Sequence, residues 1–265
     1  MPDGATTRRP IGWRAPDAGP EQEPPTPRRV LVEEALVVLA LSLLPSAVDA
    51  LFTLFEAPVS RSVAVAVYPS VELARQLSDI VFSLAPVALV LHLAKRNRED
   101  LRTFGLSTAT LGEDVVWGLG AALVVSAVGL SLYLGAIALN VNRFVVPVPP
   151  LGHWWTVPVL VLGSLQNAVL EEVIVVGYLI RRLEQIGLAS MAALAASAAL
   201  RGSYHLYQGW GGFTGNLLLG LFFGWIFVRT RRTWPLITAH FVVDSLAGIA
   251  YIAFRGHCVW SLCIR

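Results

Sequence analysis

WTVPVLVLGSLQNAVLEEVIVVGYLI, residues 155–180, is the stretch on which the fold turns. It is long and apolar enough to cross a bilayer as a helix, which takes about 20 such residues. Yet Glu171 and Glu172 stand side by side within it. An ionised, unpaired carboxylate at that depth costs on the order of several kcal/mol. The helix must therefore turn a polar face into protein or a cavity, or hold a carboxyl protonated. Ser164, Asn167, Glu171, Tyr178 and Arg182 recur at helical intervals, which predicts that they share one face. The competing reading puts the two carboxylates at a helix end in the headgroup layer, because Arg181 follows soon after.

The rest of the chain agrees with a membrane protein. It has 265 residues, 55% of them hydrophobic and 14% charged. Mean hydropathy is +0.63. A soluble domain carries roughly 25% charged residues. Further apolar runs lie at about 30–54, 70–94, 114–139, 188–206, 212–229 and 234–254. Lipid offers no partner for open backbone groups, so all are read as helices. The expected fold is all-α, a polytopic transmembrane bundle of about seven helices over residues 30–254. The Ala-rich fifth run has the weakest lipid signal and is expected to be buried among the others. Gly220 and Gly224 on the sixth predict close helix packing.

Residues 1–29 form a proline-rich polar tail, expected to be disordered and cytoplasmic, and unlike a secretory signal. Residues 255–265 form a short tail that holds the two cysteines, Cys258 and Cys263, read as plain thiols or, if outside, a disulfide. Arginine and lysine gather in the N-terminal tail, at 95–102, at 181–182 and at 229–232, leaving few in the alternate loops. Positive loops favour the cytoplasm, so the N-terminus is expected inside and the C-terminus outside. The net charge is only +2, and a nucleic-acid partner is not expected.

Ionisable groups recur at two further places. His205 closes Arg201-Gly202-Ser203-Tyr204-His205, just before the turn at Gly209–Gly212. His240 and Asp244, four apart, share a face inside the last apolar run. Each has a structural reading, as a helix-end histidine or a polar clamp between helices. Together with Glu171–Glu172 they are expected to converge on one pocket. A carboxylate with histidines can activate water, and a histidine can hold an oxyanion. There is no Gly-x-Ser-x-Gly elbow and no His-Glu-x-x-His, which disfavours a serine protease or a standard zinc protease.

At these residues the chain resembles the CAAX-protease and bacteriocin-processing (CPBP, or Abi) family of intramembrane glutamic endopeptidases. That family carries Glu-Glu-x-x-x-Arg, Phe-x-x-x-His and His-x-x-x-Asn/Asp. Glu171-Glu172 begins the first motif, His205 ends the second, and His240-Phe241-Val242-Val243-Asp244 supplies the third. The resemblance covers about residues 115–254. It implies a membrane-embedded peptidase, carried by the three motifs in order, acting on a peptide or membrane-protein substrate amid membrane lipid. A multi-pass protein of a bacterial cell membrane is the expected setting. By the same resemblance, Glu171 and His205 activate water, His240 and Asp244 hold the carbonyl oxygen, and Glu172 is a supporting carboxylate.

Two positions depart from the family pattern. Val176 stands where the first motif has arginine, and Arg201 where the second has phenylalanine. Arg201 is expected either to replace the missing arginine as counterion to Glu172 or to snorkel to the outer headgroups, as arginines near helix ends do. Without that exchange the chain reads as a non-catalytic scaffold or immunity member of the fold. A metal or proton transporter is the other rival. No cofactor is expected, although zinc held by Glu171, His205 and His240 is the alternative arrangement.

Overall fold

The computed structural model describes residues 26–53, 68–139, 152–254, 258–259 and 262–263. Most of the 1–29 tail lies outside them. The described chain is helical: α1 Arg28–Ser42, α2 Leu44–Thr53, α3 Pro69–Ser83, α4 Ala85–Arg96, α5 Leu111–Ala138, α6 Thr156–Glu171, α7 Leu179–Gln185, α8 Ser190–Ser203, α9 Trp210–Thr230 and α10 Trp234–Phe254. A π-helical segment, Glu172–Tyr178, joins α6 to α7. In the tail, Cys258–Val259 and Leu262–Cys263 pair antiparallel, with Cys258 opposite Cys263; their side chains lie outside the description.

Five stretches are long and apolar enough to cross a membrane: Pro69–Arg96, Leu111–Leu132, Thr156–Gln185, Trp210–Thr230 and Trp234–Phe254. α1 and α2 qualify as a sixth only as a pair bent by 50°. Pro45 in the first turn of α2 accounts for the bend, since its ring clashes with the carbonyl four residues back. The fifth run of the sequence is α8, 14 residues long. At 1.5 Å per residue it spans only about 21 Å, short of the roughly 30 Å hydrocarbon core. Its Ala193, Leu194, Ser197, Ala198 and Arg201 are buried. The seven apolar runs are thus all helical, but one of them does not reach across.

The basic loops meet at one end of the bundle. Arg182 donates to both oxygens of Glu99, each at 2.6 Å. Glu34 accepts from Asn97 at 2.9 Å and from Arg96. Arg231 forks onto Glu184 at 2.7 and 2.9 Å, and Arg232 pairs with Asp114 at 2.5 Å. The start of α1, the ends of α4, α7 and α9, and the starts of α5 and α10 are therefore gathered together. Successive segments run alternately towards and away from this end.

α8 and α9 pack closely, and the glycines allow it. A Cβ at Gly220 would stand 2.9 Å from Ala198 Cα and 3.2 Å from the Cδ of Arg201. One at Gly224 would stand 2.9 Å from Leu194 Cγ. The absent side chain at 220 leaves room for both the α8 backbone and the Arg201 stem. Gly220→Ala is expected to destabilise the protein by about 1–3 kcal/mol, as overpacking does. Thermal unfolding of the purified protein measures this, and an unchanged midpoint would mean that α8 moves aside freely.

Candidate active site

Glu171 ends α6 near the midpoint of the Thr156–Gln185 span and is 4% exposed. The two carboxylates therefore lie buried within the bundle, mid-span rather than at a free helix end. Glu172 opens the π segment and is fully buried. The π turn holds more residues than an α turn and shifts the face each later residue presents. The expected face from Ser164 to Arg182 is thus interrupted. Asn167 and Glu171 join the site, while Tyr178 and Arg182 join Phe104 and Glu99 at the basic end. Ser197 on α8 donates to the Val175 carbonyl at 2.6 Å, which supports the π segment.

Arg201 on α8 reaches both glutamates. Its Nη1 donates to Glu172 Oε1 at 2.8 Å, and its Nη2 lies 3.2 Å from Glu171 Oε2. Its guanidinium rests 5.6 Å from the centre of the Phe223 ring. The expected counterion exchange is present in the structure. Val176 meanwhile is fully buried among apolar Ala122, Ile180, Leu194, Phe223, Leu236 and Ala239. A buried carboxylate pair without a cation would be strongly disfavoured; here one planar guanidinium serves both.

His240 is clamped. Its Nδ1 lies 2.8 Å from Glu172 Oε1, and its Nε2 lies 3.2 Å from Asp244 Oδ2. A carboxylate only accepts, so as an imidazolium the ring donates to both. Asp244 Oδ2 also accepts from Asn167 Nδ2 at 3.1 Å. The side chain of Asp244 is 35% exposed, whereas Glu172 and Arg201 are sealed. The site therefore opens on the Asn167–Asp244 side.

His205 follows α8, one residue before the 3-10 turn Leu206–Gln208, against which α2 packs. Its Nδ1 lies 3.0 Å from the Arg201 carbonyl. A carbonyl cannot donate, so the proton is on Nδ1 and Nε2 remains available. His205 does not hydrogen-bond Glu171 directly among the described contacts. It joins the network through that carbonyl and through the Tyr204 ring, 4.7 Å away between centroids. Tyr204, which carried no motif signal, donates from its hydroxyl to Glu171 Oε2 at 2.9 Å.

The network thus runs from Asn167 through Asp244, His240, Glu172, Arg201 and Glu171 to Tyr204. It holds three carboxylates against one guanidinium and one imidazole. Even with His240 charged, one carboxylate is in excess, and the site has capacity for one further proton.

The metal set differs from the sequence expectation. Glu171, Glu172 and His240 offer ligand atoms within 4.8 Å of one another, and His205 is not in the group. These residues do not fit a metal ion while Arg201 keeps its place. Its guanidinium lies within 3.2 Å of both carboxylates, and a second cation there would meet strong repulsion in a buried setting.

Residues 153–246 match the family model for type II CAAX prenyl endopeptidase Rce1-like proteins. The match takes in all three motif regions, so the resemblance read from them holds over this segment, and the family is one of proteases. No curated protein and no solved structure matches the chain.

Proposed function

We propose, from the match of residues 153–246 to the CAAX prenyl endopeptidase family, that this chain is an intramembrane endopeptidase using a metal-free Glu–His site. The observation that carries this reading is the environment of Glu171. Tyr204 and Arg201 both engage its Oε2, which leaves Oε1 to take a proton. A water between Glu171 Oε1 and His205 Nε2 is the nucleophile. Glu171 receives its proton as it attacks the peptide carbonyl, then returns it to the leaving amine. Arg201 and His240 hold Glu172 in place and keep the site in register. Depth in the bundle supports a membrane-embedded substrate, with a lipidated CAAX-type C-terminus as the class that the family name suggests. By the positive-loop rule the basic end faces the cytoplasm, together with the N-terminus, in a bacterial cell membrane.

The test is direct. Purified protein in proteoliposomes is expected to cleave a quenched, farnesylated peptide ending in a CAAX sequence. EDTA and 1,10-phenanthroline are expected to leave the rate within about twofold, because no step uses a metal. An intact peptide would contradict the endopeptidase reading. Cleavage abolished by chelators and restored by zinc would replace Arg201 with a metal as the charge partner of the glutamates.

A further inference from the structure

Position 244 is an aspartate, and an ionised aspartate has no hydrogen to give to an oxyanion. His240 has none to spare either, with Nδ1 against Glu172 and Nε2 against Asp244. We infer that Asn167 on α6 supplies the donor: its side-chain amide holds the oxygen of the tetrahedral intermediate. This rests on the endopeptidase reading above and adds a catalytic residue to it.

Three observations carry the inference. The orientation of the Asn167 amide is fixed, because Asp244 Oδ2 can only accept, and so Nδ2 faces it at 3.1 Å. The amide nitrogen bears two hydrogens, and only the bond to Asp244 engages it among the described contacts. Second, Asn167 and Glu171 are one turn apart on α6, ahead of the π segment. Residues at that spacing have Cβ atoms about 5–6 Å apart on one face. A carbonyl carbon attacked by water at Glu171 can thus turn its oxygen over Asn167. Third, Asn167 and Asp244 line the partly exposed side of the site, whereas Glu172 and Arg201 are sealed within it.

The step balances. Water oxygen bonds to the carbonyl carbon, and its proton passes to Glu171. The carbonyl π pair moves onto oxygen, where the free Asn167 N–H meets it. On collapse the pair returns, the C–N bond breaks and the proton on Glu171 goes to the amine. Asp244 holds the Asn167 amide in position as well as the His240 ring. The arrangement parallels the arginine exchange: a group absent at one motif position is supplied from a facing helix.

The experiment uses the full chain in proteoliposomes with the quenched farnesylated CAAX peptide. Asn167→Ala is expected to lower kcat by about 100-fold, the usual effect of removing one oxyanion donor, with KM changed less than about twofold. Affinity for a farnesylated peptidyl aldehyde, whose hydrate mimics the intermediate, is expected to fall with kcat. The exchange Asn167→Asp with Asp244→Asn places the amide at 244 and is expected to recover at least about tenfold over Asn167→Asp alone. Wild-type kcat in Asn167→Ala, with Glu171→Gln inactive, would overturn the assignment. If Asn167→Ala does not fold, the exchange decides: a folded but inactive exchange variant overturns it and an active one supports it. Full cleavage by Glu171→Gln would instead overturn the endopeptidase reading itself.

Discussion

Glu171→Gln is expected to lower cleavage of the farnesylated peptide by at least about 10²–10⁴-fold, the range attributed to a positioned general base. The substitution changes little else. The glutamine oxygen can still accept from the Tyr204 hydroxyl and from Arg201, which contact Glu171 Oε2 at 2.9 and 3.2 Å. What is lost is the carboxylate oxygen able to take a proton from water. The thermal midpoint should therefore stay near that of the wild type while kcat collapses. Cleavage rates measured beside unfolding curves check both halves. A variant that cleaves normally would remove Glu171 from the mechanism.

Arg201→Ala is expected to have the largest effect on stability. It strips the guanidinium from two buried carboxylates at once and removes the stacking on Phe223. Breaking a buried ion pair from one side costs about 3–5 kcal/mol, because the remaining charge is left unpaired. The double variant Arg201→Ala with Glu172→Gln should lose less than the two single variants added together. That non-additivity is the signature of a direct pair. Unfolding of the four proteins in detergent gives the cycle. Additive losses would mean that Arg201 stabilises α8 by packing alone.

Much of this arrangement was legible in the residues, for physical reasons. Carboxylates within an apolar run are costly enough that they announce a partner, and Arg201 stood out as a cation one turn before His205, where the family motif has phenylalanine. The four-residue spacing of His240 and Asp244 likewise fixed their common face. The π segment had no such signature. It shifts backbone hydrogen bonding within Glu172–Tyr178, whose side chains read equally well as α-helix, and so Tyr178 and Arg182 fell on the expected face and off the actual one. Tyr204 was hidden as an ordinary aromatic beside a motif histidine. Zinc ligation through His205 was plausible from residue types alone, and only the geometry brought Glu172 into that set instead. The bend between α1 and α2 had a visible cause in Pro45, but its 50° angle depends on packing that the linear run does not encode.

The central claim is that water at Glu171 cleaves a peptide bond inside the membrane. Mass spectrometry of the product formed by the purified protein in H₂¹⁸O tests it most directly. The account predicts that the wild type releases a peptide with one ¹⁸O in its new carboxylate, and that Glu171→Gln releases none. A farnesylated peptide left intact by the folded wild-type protein would contradict it.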